Sequence, residues 1–153
     1  MRFFNVRVYG LLINEQQEIL VSDEYIQGAY FTKFPGGGLE FGEGTRDCLA
    51  REFMEEMNLN IAVEEHFYTT DFFQLSAFKP DQQIISIYYK VRALERIAVP
   101  LREKPFDFDA RQLLMYEERK QTETFRFIKL KEYNPEMMTL PIDKVVAALL
   151  IQE

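Results

Sequence analysis

The sequence holds a single cysteine, Cys48, so neither an intrachain disulfide nor a cysteine-rich zinc site is available to it. It holds a single histidine, His66, next to a strand-like segment, where a lone imidazole is expected as a packed or surface residue rather than a ligand. No apolar run approaches the roughly 20 residues of a membrane span, so no membrane partner is expected. The opening MRFFNVRVYG is too short and too polar for a signal peptide. Together these make a cytoplasmic protein the expectation. Basic charge is also scarce: 18 Lys and Arg stand against 25 Asp and Glu, a net charge of -7 with a pI near 4.9. That balance argues against a nucleic acid polymer, which needs a basic footprint. It leaves room for a small anionic substrate, because bound metal ions supply positive charge locally. No linker, repeat or low-complexity segment interrupts the 153 residues, and residues 1–153 are expected as one domain, large enough to bury its own core.

Aromatic residues, by contrast, are plentiful, with 14 Phe and 8 Tyr. Residues 2–13 (RFFNVRVYGLLI) read as a strand, and a polar turn at 14–18 followed by ILVS at 19–22 suggests a hairpin. Residues 24–32 read as an irregular link. FYTTDFF at 67–73 and IISIYYKV at 84–91 read as strands, and 92–109 as a strand end with a long surface loop. FRFIKL at 125–130 alternates with period two, as a half-buried strand does. Pro141 suits the first turn of a C-terminal helix whose apolar stripe is Val145, Val146, Leu149 and Leu150. Strands before and after a central helix predict an α/β (α+β) fold, a sandwich with a mixed, mainly antiparallel sheet.

The most informative stretch is FPGGGLEFGEGTRDCLAREFMEEMNL, residues 34–59. Thr45 is a suitable N-cap, Asp47 suits the positive end of a helix dipole, and Asn58 tolerates the left-handed conformation in which helices often end. At about 100° per residue, Leu49, Ala50, Phe53 and Met57 share one face. Glu52, Glu55 and Glu56 share another. Like charges at helical spacing repel, whereas a hard divalent cation takes oxygen ligands shared between carboxylates and phosphates. Gly36, Gly37 and Gly38 allow the backbone to approach a phosphate or an ion closely. For three glutamates alone, a solvated acidic face is the simpler reading; the glycines and Glu43 shift the balance toward a site.

The spacing then becomes specific. From Gly37 there are five residues to Glu43 and seven more to Arg51-Glu52; Phe53, Glu55-Glu56 and Leu59 follow in their slots. This resembles the Nudix box of the Nudix hydrolases at every defined position but one, where Asn58 stands for the usual glycine. Pro35-Gly36-Gly37 before the box and Phe125-Arg126-Phe127 ahead of a closing helix are also similar to the family.

The resemblance implies a Nudix-like α/β/α sandwich and hydrolysis of a nucleoside diphosphate linked to a further group, of the ADP-ribose, nucleotide-sugar or (d)NTP class. It implies Mg²⁺ or Mn²⁺ as cofactor. Glu52 and Glu56 would be metal ligands, and Glu55 a third ligand or the base that deprotonates the attacking water. The Gly37 backbone would assist at the metal, and Arg51 and Glu43 would support the carboxylates. A further acid often comes from beyond the box; Glu117, Glu118 and Glu123 are the candidates, with Glu123 preferred. Lys33, ahead of the glycine turn, and Arg7 are candidate phosphate contacts alongside Gly36, Gly37 and Gly38. Tyr25, Tyr30 and Phe31 are candidates to stack on a base or to pack in the core. The alternative class is a non-catalytic Nudix-fold module that binds a nucleotide; such proteins commonly lose box glutamates, and all are kept here. Oligomeric state has no signal in the residues, and since family members are often dimers a homodimer is among the expectations.

Overall fold

The structure, a computed structural model, describes all residues 1–153. In chain order its strands are β1 (Phe3–Leu12), β2 (Glu18–Ile26), β3 (Ala29–Lys33), β4 (Gly36–Gly38), β5 (Ile61–Thr69), β6 (Gln82–Ala93), β7 (Leu101–Arg102) and β8 (Gln121–Lys129). Its helices are α1 (Thr45–Met57), α2 (Ala110–Arg119) and α3 (Pro141–Ile151), with one 3-10 turn at Pro135–Met137. No helix is long and apolar enough to cross a membrane.

The fold is mixed α+β, as expected, with two four-stranded sheets, each mixed and mainly antiparallel. The chain forms two compact units, Met1–Leu12 with Pro35–Ala98, and Ile13–Phe34 with Val99–Glu153. The first unit holds the sheet β4-β1-β6-β5 and α1. Here β1 runs parallel to β6, from Phe3 opposite Gln82 to Leu12 opposite Val91, and antiparallel to β4. Val8, Leu11, Leu49, Phe53, Met57, Leu59 and Tyr88 are among its buried apolar residues. Gly10 is where the helix meets the sheet: a Cβ there would lie 2.6 Å from the Phe53 ring.

The second unit holds the sheet β3-β2-β8-β7 with α2 and α3. Ile19, Leu20, Val21, Phe125, Ile128, Ile142, Val146 and Leu150 are buried there. Asp23, fully buried, accepts from Arg126 at 2.6 Å and 3.2 Å, from Thr32 Oγ1 at 2.7 Å and from the Phe106 amide at 3.2 Å. Four donors around one carboxylate give it the partners that a buried charge requires.

Several sequence expectations change. The expected hairpin between residues 2–13 and 19–22 is absent as such: β1 and β2 belong to different sheets, and beside the turn only an isolated Ile13–Ile19 bridge forms. Residues 24–32 are no irregular link but a true hairpin of β2 and β3, turned at Gln27 and Gly28, both with positive φ. And the strand expected at residues 67–73 is only partly one, since β5 runs Ile61–Thr69; residues 110–119, for which no element was expected, form α2, started by a reciprocal Asp109–Gln112 capping box. The C-terminal helix has Pro141 in its first turn as expected, but its buried apolar face is Ile142, Val146, Ala147 and Leu150, with Val145 of the expected stripe exposed.

Candidate active site

The site is built on β4 and α1. In β4 the register sets Gly36 opposite Tyr9, Gly37 opposite Val8 and Gly38 opposite Arg7. A side chain at Gly36 (φ 148°) would run into the Val8 carbonyl oxygen at 2.1 Å. At Gly37 it would meet the Glu52 carboxyl carbon at 2.5 Å. Glycine at 37 therefore lets a helix carboxylate rest directly against strand backbone.

Helix α1 starts one residue earlier than its cap was expected: Gly44 is the N-cap, and Thr45 shares a 2.7 Å hydrogen bond with the Tyr89 hydroxyl instead. Asn58 ends it in the left-handed region (φ 49°, ψ 43°), its amide donating to Met54. Asparagine thus supplies the conformation that glycine usually supplies there. The packing face is Cys48, Leu49, Phe53 and Met57, with Ala50 exposed, so the helix is rotated slightly from the expected Leu49–Ala50 face.

Arg51 is the hub. Its Nε and Nη2 donate to both oxygens of Glu43 at 2.9 Å and 2.7 Å, the two-pronged geometry a guanidinium makes best. Nη2 also donates to the Gly38 carbonyl at 3.1 Å, and Nη1 to Glu52 Oε1 at 3.0 Å and Glu55 Oε2 at 3.1 Å. Glu40 lies 3.7 Å from Nη1. One cation thus ties the loop (Glu40, Glu43), the strand (Gly38) and the helix (Glu52, Glu55) together. Hydrogen bonding to Arg51 holds the Glu43 carboxyl down to about 2, and the same carboxylate, with Glu52, pushes the arginine higher still. The Glu52 side chain is 14% exposed and that of Glu55 59%, so the carboxylate row runs from the backbone out to solvent. Glu56, next on the helix, is half-buried.

Carboxylate oxygens and strand backbone make an all-oxygen donor set of the kind Mg²⁺ and Mn²⁺ take, and the close approach of Glu52 to Gly37 suits it. The three glutamates are not drawn together into a ready-made cage, however, and no cluster of acids, histidines or cysteines elsewhere forms one. Arg51, which touches two of them, holds the row in its present arrangement.

The remaining expectations distribute as follows. Arg7 lies beside Gly38, its Nε donating to the Tyr9 hydroxyl at 2.6 Å. By strand alternation Arg7 faces away from the side of β1 and β4 on which Gly10 and Gly37 meet α1. Lys33 and Glu123 belong to the second unit. Lys33, nearly buried, sits 3.5 Å from Glu24, so its charge is matched within that sheet. Glu123 lies inside β8 rather than in a loop, opposite Glu24, and accepts from Ser22 Oγ at 2.8 Å. Glu117 and Glu118 are exposed on α2. Glu24, Ser22 and Glu40 carried no signal in the sequence; Glu24 becomes visible only through the pairing of β2 with β8. Cys48 is buried, its thiol pushed up to about 12 by burial and by Glu43, so it has no thiolate chemistry near neutral pH. His66 is exposed and bonded to Thr69. Tyr25 lies between near-parallel Tyr30 (4.3 Å) and Tyr116 (3.7 Å) rings, so both its faces are covered and it cannot stack on a base.

Comparisons with known proteins agree with this architecture. The NUDIX domain family model matches residues 3–149. The fold is shared with the MutT protein of Methanosarcina mazei Go1 (TM-score 0.68, 16% identity, covering 99% of this chain and 95% of that one). It is also shared with an ADP-ribose pyrophosphatase of Streptococcus suis (TM-score 0.57, 15% identity, 97% and 90%) and the ORF135 protein of E. coli (TM-score 0.66, 14% identity, 99% and 91%). No curated protein matches by sequence. With a family model covering almost the whole chain, a box complete but for Asn58 and an arginine-centred carboxylate row on a glycine strand, the chain belongs to the Nudix family of pyrophosphohydrolases.

Proposed function

We propose that the chain, as a single Nudix domain over residues 1–153, hydrolyses the pyrophosphate bond of a nucleoside diphosphate linked to a further group, with Mg²⁺ or Mn²⁺ as cofactor. The observation that carries this is the Arg51 hub, which holds Glu52 and Glu55 on one face of α1 against a strand of three glycines. A structural helix has no use for such a row. Glu52, Glu55 and Glu56, with the Gly37 backbone, would hold the ion. When bound, a divalent cation withdraws charge from the bridging phosphates and acidifies a water for in-line attack on phosphorus. Glu55, the more exposed of the two helix glutamates that Arg51 touches, is the base we favour, with Glu123 as the alternative. Glu43 keeps Arg51 oriented, and Gly36 and Gly38 keep side chains away from the phosphates. A cytoplasmic location and a small nucleotide-type substrate complete the reading. The nucleotide-sugar class is supported by neighbours in this fold described as an ADP-ribose pyrophosphatase and a UDP-X diphosphatase; the (d)NTP class is the other.

The test is product release from a panel of nucleoside diphosphate derivatives and (d)NTPs with Mg²⁺, wild type against Glu55→Gln, Glu56→Gln and Glu123→Gln. Loss of a general base costs about 100-fold or more in turnover, so a Glu123→Gln enzyme with full activity removes that residue. A wild type inert across the panel yet able to bind a nucleotide would make the chain a binding module instead.

A further inference from the structure

Helix α2 is held to its sheet without using its aliphatic residues. Tyr116 stacks on Tyr25 at 3.7 Å and accepts a hydrogen bond from the Gly28 amide at 2.8 Å. Gln112 Nε2 donates to the Glu123 carbonyl at 3.2 Å. The Asp109 capping box, with Asp109 paired to Arg102 at 2.9 Å, fixes the first turn. No residue of the helix is buried. Leu113, Leu114 and Met115 are 47%, 56% and 43% exposed. A firmly anchored helix thus carries three large apolar side chains into water, at a cost that a covering surface would relieve.

The charges around them indicate what that surface is. At about 100° per residue, Arg111, Leu114, Met115 and Glu118 fall within an arc of about 100°, turned away from Gln112 and Tyr116. Along the axis, the midpoint of Ala110–Arg119 lies between Leu114 and Met115, with Arg111 and Glu118 equally far from it on either side. This pattern is complementary to itself. Across a two-fold axis at the midpoint, Leu114 of each copy meets Met115 of the other, and Arg111 of each meets Glu118 of the other. An apolar centre with charges at its ends is the layout of protein interfaces, and the symmetry makes every contact twice. A parallel pairing would set arginine against arginine and glutamate against glutamate, so the charges select the direction as well as the partner. Arg111 and Glu118 are both exposed, and the ion pairs within the chain involve neither. A lipid surface fits less well, because Glu118 lies in the middle of the arc and the chain carries a net charge of -7.

We propose that the outward face of α2 is the contact through which two copies of this chain associate, as an antiparallel two-fold pair. A helix of ten residues is about 15 Å long, so the contact belongs to the small, transient class of interface, with a dissociation constant of about 1–100 µM. Sedimentation equilibrium of the full chain, loaded up to about 500 µM, tests it. The wild type should move with concentration from the 18.2 kDa of one chain toward twice that mass. Arg111→Glu and Glu118→Arg should each raise the dissociation constant about 100-fold or more, because each sets two like-charged pairs across the axis. The two reversals in one chain should return it to within about threefold of wild type, a rescue that a damaged fold cannot imitate. Leu114→Ser should weaken the pair about tenfold or more. All three positions are exposed, and thermal melting checks that each variant is folded. A wild type that stays monomeric throughout the range overturns the proposal. So does a dimer insensitive to either reversal or to Leu114→Ser, or one that the double reversal fails to restore. A monomer that instead sediments with phosphatidylcholine vesicles, and no longer does so as Leu114→Ser, would make this a lipid-binding face and overturn the proposal too. None of these outcomes depends on the hydrolase reading, which turnover tests separately.

Discussion

Arg51 does two jobs with one side chain. It neutralises a loop carboxylate through a two-pronged contact with Glu43, and with its remaining nitrogen it steadies Glu52 and Glu55. The pairing has a pH signature. A carboxyl held at about 2 on folding, against an ordinary 4.5, adds stability above the ordinary value and loses it as pH falls from about 4.5 toward 2. Across that window the melting temperature of the wild type should fall more steeply than that of Glu43→Gln; equal slopes would mean that the pair has no weight in solution. Gly37 invites a sharper test. A methyl group there would displace only the tip of a flexible side chain, since the atoms in its way belong to the Glu52 carboxylate. Gly37→Ala should therefore keep its unfolding free energy within about 1 kcal/mol of wild type while losing most of its activity, with Mn²⁺ affinity from paramagnetic relaxation as the second readout. At this scale much was legible from the residues alone, because the box is local: one turn and one helix, with spacings that survive folding unchanged. The burial of Cys48 in place of Ala50 was not, since helix rotation is set by what the helix packs against.

Elements show where local reading ends. The strand at residues 3–12 was plain from its aromatic and β-branched residues, but its partners are β6, far along the chain, and the three-residue β4. Proximity in sequence favoured a hairpin with β2 instead, and nothing in either segment marks a parallel pairing. The β2–β3 hairpin went unread because its turn is Gln27-Gly28 rather than the stronger Asn-Gly or Asp-Gly signal. α2 hid for a different reason: Leu113, Leu114 and Met115 are consecutive and all exposed, so no helical period shows. Its one readable mark was Asp109 followed three residues later by Gln112. That cap also carries an ion pair, Arg102 to Asp109 at 2.9 Å. Asp109→Ala should accordingly cost about 1 kcal/mol, the typical loss for an N-cap, seen as a lower urea midpoint with an unchanged slope.

For the molecule as a whole, the excess of acid over base suits the proposal that cations complete the site. An ion that binds only the folded chain stabilises it by mass action. At about 100 times its dissociation constant, Mn²⁺ should add about 2.7 kcal/mol, a rise of roughly 5–10 °C in melting temperature for a chain of this size. Glu56→Gln should lose most of that rise; a full rise in the variant would place the ion elsewhere. The parallel pairing of β1 with β6 carries a further consequence, in time rather than in space. Every partner of β1 in that ladder lies about 80 residues downstream, so during synthesis β1 waits without this pairing until β6 has been made. Loop closure over that distance must precede the contacts that reward it, which places refolding in the millisecond-to-second range of non-local folds rather than with helical bundles. Stopped-flow refolding measures it, and the interval before β6 arrives is the one in which this chain is most exposed to aggregation.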